Sequence, residues 1–141
     1  MRQTILSVVV EVQPESADLL RKRIKALKDQ EEDVRAPAVS YDRLRSAVPA
    51  LHFMSLTVFR DDLYDPVFVL EANFDGEPGP FWAQIEAAIG APLREMLRYC
   101  KRPRDETAAL FDAVTRPGSR VPIAPFLEAR TVRPLVSRLT V

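Results

Sequence analysis

The chain has 141 residues, 47% of them hydrophobic and 28% charged, which is the composition of one soluble globular domain with room for a core. Twenty basic and twenty acidic side chains cancel, and a neutral balance speaks against broad nucleic-acid binding, which needs a basic face to displace counterions. A single cysteine, Cys100, excludes an internal disulfide and a cysteine-rich metal site and fits a reducing cytosol.

The N-terminal stretch "TILSVVVEV" (Thr4 to Val12) is β-branched and alternating, with Leu6, Val8, Val10 and Val12 on one face and Ile5, Ser7, Val9 and Glu11 on the other. It is short and lacks a small-residue cleavage site, so it reads as a strand and not as a signal peptide. No run in the chain is long enough to span a bilayer, so the expected setting is cytoplasmic, away from membranes. The frequent arginine and proline are associated with a GC-rich bacterial genome.

"QPESADLLRKRIKALKDQ" reads as an amphipathic helix. Pro14 suits its first turn, Glu15 and Asp18 suit its dipole, and Ala17, Leu20, Ile24 and Leu27 recur on one side. Residues 29–49 are polar with prolines and form a long connection, with a helical turn expected at "YDRLRSA". "ALHFMSLTVF" (Ala50 to Phe59) and "PVFVLEANF" (Pro66 to Phe74) are two strands joined by "RDDLYD", the pattern of an antiparallel hairpin. "DGEPGP" is a turn leading into the helix "FWAQIEAAIGAPLREMLRYC", which Gly90 and Pro92 should kink.

Residues 104–141 read as a C-terminal extension of the same single domain. "DETAALFDAV" is expected as a short helix with Asp105 as N-cap. "SRVPIAPFLEA" alternates like a strand, but its prolines confine it to an edge or a bulge. "TVRPLVSRLTV" places Val132, Leu135, Val136 and Leu139 at helical spacing, which predicts a terminal helix capped by Thr131. Basic residues prevail in the second half of the chain, from Arg98, Lys101, Arg102 and Arg104 to Arg130 and Arg138. A solvated surface is the plain reading, and an acidic small ligand the alternative.

The order β-α-β-β-α with a weak further strand predicts an α+β domain of ferredoxin-like type, with an antiparallel sheet, helices on one face and extra C-terminal helices. Side-chain parity then divides the sheet. Met54, Leu56 and Val58 go with Phe68, Leu70, Ala72 and Phe74 beneath the helices, and His52, the only histidine, shares their parity. The other face carries Phe53, Ser55, Thr57 and Phe59, with Val67, Val69, Glu71 and Asn73. A solvated face should be cleanly polar, and this one is half apolar, so it is expected to be covered. Candidate lids are a second copy, giving a homodimer through the open face, and residues 29–49. Phe53, Ser55, Phe59, Val69, Glu71 and Asn73 are the candidate site for a small apolar molecule.

In this order, in its mixed open face and in its "LHFMSL" and "VLEANFDG" strands, the chain resembles the dimeric α/β-barrel superfamily over roughly residues 3–100. That resemblance implies, beside a binding or accessory module, a small cofactor-free oxygenase or a haem-linked enzyme. An oxygenase would use His52, Asn73, Trp82 and Tyr99, with His52 or Asp75 as base. Haem members commonly ligate through a helical histidine, and neither main helix has one, so the expectation is no cofactor and no metal. "NFDGEPGP" lacks the Lys-Ser/Thr pair of a phosphate loop, and no G-x-S-x-G elbow is present. Glu71 and the lack of basic residues in "PVFVLEANF" argue against base stacking, so no nucleic-acid partner is expected. Cys100 in "LRYCKRP" falls in register with Leu93, Met96 and Leu97, which makes it a buried structural thiol.

Overall fold

The computed structural model describes residues 3–32 and 41–132. Along the chain run β1 (Gln3–Glu11), a 3-10 turn (Pro14–Ser16), α1 (Ala17–Glu31), α2 (Asp42–Ala47), β2 (Leu51–Phe59) and β3 (Val67–Asp75). There follow α3 (Pro78–Leu97), α4 (Ala108–Thr115), α5 (Ala124–Ala129) and the two-residue β4 (Thr131–Val132). The fold is α+β: one open antiparallel sheet of four strands, in the order β2-β3-β1-β4, with helices packed on it.

The sheet follows from alternation. β3 alternates half-buried and buried residues along its whole length, and the buried set is Phe68, Leu70, Ala72 and Phe74. The register aligns these with Val10, Val8, Leu6 and Thr4 of β1, and with Val58, Leu56, Met54 and Leu51 of β2. One apolar layer results, and α1 covers it through Ala17, Leu20, Ile24 and Leu27 in the same cluster. Gly76 ends β3 at φ +98, a left-handed value that suits glycine, and Thr4 donates its hydroxyl to the Gly76 carbonyl at 3.0 Å.

In α3, Phe81, Trp82, Ile85, Ile89, Leu93, Met96 and Leu97 are buried. The expected kink is present: Ile89 leaves helical geometry at φ −133, ψ 27. Pro92 has no N–H for the Ala88 carbonyl, and its ring crowds that oxygen. Trp82 sits at 0% exposure with its ring edge on Phe81 at 5.1 Å, an anchor behind the strand-to-helix turn.

Four expectations are corrected. The stretch around Pro122 and Pro125 is not an edge strand. Ala124–Ala129 is helix α5, with Pro125 in its first turn, where a missing N–H is tolerated. Its entry is held by Glu86 of α3, whose carboxylate accepts the Ile123 and Ala124 amides at 2.9 and 2.8 Å. Thr131 does not cap a helix. With Val132 it pairs with Val8 and Ser7 as β4, because the outer edge of β1 offers backbone partners that local helical spacing cannot. The rest of that expected helix, 133–141, lies outside the described residues. Asp105 is not the N-cap of α4: it accepts the Thr107 amide at 2.8 Å, and Thr107 precedes the helix.

The fourth correction concerns His52. A β-bulge separates the pairs Leu51–Phe74 and Phe53–Asn73, so His52 is the unpaired extra residue. The bulge reverses parity at the strand's start. Leu51 turns inward at 3% exposure, and His52 is exposed. Residues 33–40 of the long connection lie outside the described part. Its later portion, with Tyr41, Leu44 and Val48, joins the helix-side core near α1, α3 and β2 and so does not lie over the other face.

Candidate functional site: the open sheet face

Opposite the helices, the register builds four cross-strand rows. They are Ile5–Asn73–Phe53, Ser7–Glu71–Ser55, Val9–Val69–Thr57 and Glu11–Val67–Phe59. Facing residues in such rows hold their Cβ atoms about 5 Å apart, so each row is one continuous contact surface. All six candidate site residues lie on this face: Phe53, Ser55, Phe59, Val69, Glu71 and Asn73. Phe53 is 52% exposed and Phe59 57%, with Ile5 at 36%. Val69, Glu71 and Asn73 are partly buried, and Ser7 is buried at 7%.

The rows are chemically unequal. The first row is Asn73 between Ile5 and Phe53, the third is two valines with Thr57, and the fourth joins Val67 and Phe59 to Glu11, which pairs with Lys101 at 3.9 Å, while the second row is a carboxylate between two hydroxyls. The carbonyl oxygen of the Asn73 side chain is buried and accepts no hydrogen bond from the described residues. Among the described residues, no side-chain hydrogen bond or ion pair engages Glu71, Ser7 or Ser55. The buried Asn73 oxygen is an acceptor without a donor among the described residues, whereas the Glu71 carboxylate still reaches water and becomes costly only if the face is covered.

His52 and Asp75 meet at the end of the sheet next to this face, with Nε2 at 2.9 Å from Oδ1 and side-chain exposures of 45% and 26%. The two bases nominated from the sequence are therefore partners. The bulge that pushes His52 out brings it to the last residue of β3. Trp82 and Tyr99 do not join them: Trp82 is in the core, and Tyr99 is partly buried after α3, its backbone carbonyl accepting the Gln13 amide. A haem fits poorly at His52. Nε2, the nitrogen farther from the backbone, is committed to Asp75, and the ring is half exposed instead of enclosed by an apolar pocket.

Cys100 is buried at 1% and sits 3.7 Å from the Met96 carbonyl it follows by one turn. Burial pushes its thiol up to about 12, far from a reactive thiolate. The basic residues after α3 surround a cleft of about 350 Å³ lined by Val10, Glu11 and Asp65 with Lys101, Arg104 and Arg130. Their charges are largely neutralised in place: Lys101 pairs with Asp65, Arg102 with Asp112 at 2.9 Å, and Arg130 with Asp105 at 2.5 Å while also donating to the Val9 carbonyl. The cleft is thus a seam that pins the end of β1, and only Arg104 among its cations lacks a carboxylate partner among the described residues. Among the described residues no group of three or more His, Cys, Asp or Glu converges, and no helix is long and apolar enough to cross a membrane.

Sequence parity placed Ser7 on this face without marking it as a site residue. Its alignment with Glu71 is a matter of strand register, which one strand's alternation does not contain. No protein-family model, no curated protein and no solved structure matches this chain.

Proposed function

We propose that the chain is a cytosolic binding module of ferredoxin-like architecture whose open sheet face closes on a second copy and encloses a small, mainly apolar ligand. The architectural part is supported by the antiparallel order β2-β3-β1-β4, with the β1-α1-β2 and β3-α3 units on one side. The single observation that carries the functional part is the exposure of Phe53 and Phe59, at 52% and 57%, on a face whose helix-free side has no other described cover. Three strands of nine residues span about 30 Å by 14 Å. That flat projection of some 400 Å² is about half the ~800 Å² per partner of a standard interface, so the relief of the protruding side chains must supply the rest.

Sedimentation of the intact chain over a range of concentrations tests this reading. A dimer that dissociates on substitution of Phe53 supports it; a compact monomer at every concentration overturns it. A second reading, a small oxygenase, rests on the 2.9 Å pairing of His52 with Asp75, which would orient the imidazole as a base. His52→Ala must then abolish turnover of any substrate found, and unchanged turnover removes it.

A further inference from the structure

The middle of the open face has a chemistry that an apolar interface does not explain. Glu71 stands at the centre of its row between Ser7 and Ser55, and Asn73, two residues along β3, presents its amide to the same face. The Glu71 carboxylate pairs with no cation among the described residues and reaches water, while the carbonyl oxygen of Asn73 is buried and has no hydrogen-bond partner there. The serines donate or accept as needed. Around them stand Phe53, Ile5, Val9 and Val69, which offer an aromatic face and aliphatic walls. No cation among the described residues pairs with Glu71: Arg21 donates to the Val58 carbonyl, Arg60 pairs with Asp18 and Arg130 with Asp105.

Covering this row with apolar surface would strand a negative charge, which is strongly unfavourable. A second copy closing on this face brings a second Glu71 to it, and a cationic guest is what would offset that charge. The lid must therefore carry positive charge and hydrogen-bond donors where Glu71 sits, and apolar bulk beside it. We infer that the open face binds an amphiphilic organic cation, a primary ammonium on an aromatic or aliphatic body, with the ammonium on Glu71 and the body against Phe53 and Val69. An ammonium brings three donors, enough for the Glu71 carboxylate and the serine hydroxyls on either side of it. Phe53 adds a cation–π contact at the rim. This inference deepens the reading of the face as a ligand site, and it names the ligand class by charge complementarity.

The test uses tryptamine as the cation and indole-3-propionate as a probe with the same apolar body and the opposite charge, each titrated into the full chain and followed by backbone amide shifts. Tryptamine is expected to move the Ser7, Ser55, Glu71 and Asn73 amides, and indole-3-propionate is not. Glu71→Gln keeps the shape, removes the charge and is expected to weaken tryptamine binding about tenfold or more. Ser55→Ala, which leaves the charge in place, should weaken it severalfold and guards against a Glu71 variant that fails to fold. The inference is overturned if indole-3-propionate binds as well as tryptamine, if Glu71→Gln binds tryptamine unchanged, or if tryptamine at about 10 mM leaves those amides unmoved. Sedimentation of the same samples separates the two ideas. A monomer that still takes tryptamine on Glu71 ends the stacked-copy reading and keeps the cation; a dimer indifferent to tryptamine does the reverse.

Discussion

Phe53→Ser is the perturbation that most directly probes the open face. Phe53 is 52% exposed, which leaves about 100 Å² of a ring of roughly 200 Å² in water. Burying that area against a second copy at ~25 cal/mol per Å² contributes about 2.5 kcal/mol per subunit, and about 5 kcal/mol for the symmetric pair. Interface terms are rarely realised in full, so half of that, ~2.5 kcal/mol, is the working expectation, a loss of roughly 60-fold in the dimer constant. The same substitution removes the half of the ring already packed on the sheet, so the isolated subunit loses about 2 kcal/mol, within what a domain of this size tolerates. Analytical ultracentrifugation from low to high protein concentration reads the first effect, and urea unfolding at constant concentration reads the second. If association is unchanged while folding weakens, Phe53 packs only within its own chain and the reasoning about the open face is wrong.

Glu86→Ala removes the acceptor for two part-buried backbone amides at the entry of α5 and should cost about 2–4 kcal/mol, the lower part of the range that two fully buried unpaired N–H groups at ~1–3 kcal/mol each would give. Faster hydrogen exchange at Ile123 and Ala124 should accompany that loss, and a change below about 0.5 kcal/mol would contradict the capping role. Alkaline stability is a matter of Cys100 and Tyr41. Burial pushes both groups up to about 12, from ordinary values of 9.0 and 10.0. The unfolded chain therefore releases these protons first, so their contribution is complete below pH 9.0 and is lost as the pH climbs toward 12. Urea midpoints should fall across that window with a slope of up to ~1.4 kcal/mol per pH unit per group, and a flat profile would show that neither group is held back. Iodoacetamide should label native Cys100 only at the rate of unfolding; prompt labelling at neutral pH would mean the thiol is not enclosed. His52→Ala should change stability by less than about 1 kcal/mol, because its pairing with Asp75 is half exposed, and a larger loss in a thermal melt would assign the pair a structural role.

Much of the fold is legible in local pattern because its determinants are local. Alternation along Leu6–Val12 and Phe68–Phe74 names the buried layer, since a strand has period two and one side of it must be dry. The 3.6-residue spacing of Leu20, Ile24 and Leu27 names the face of α1, and Pro92 names the kink. The membership of the open face follows from the same parity, so the six candidate residues are found together. What local pattern cannot supply is anything that depends on a distant partner. The bulge that turns His52 outward is a mismatch between β2 and β3, and its contact with Asp75 exists only because those strands are paired. Thr131 and Val132 have helical spacing behind them, yet they become a strand because the outer edge of β1 offers hydrogen bonds. Ala124–Ala129 coils because Glu86, nearly forty residues earlier, receives its first amides. By itself the sequence determined most of the dry layer and which face lies away from the helices, but not the inward turn of Leu51 or the outward turn of His52. Tertiary structure alone decided the register that sets Ser7, Glu71 and Ser55 in one row, because backbone pairing across strands, and not side-chain period, chooses which residues meet.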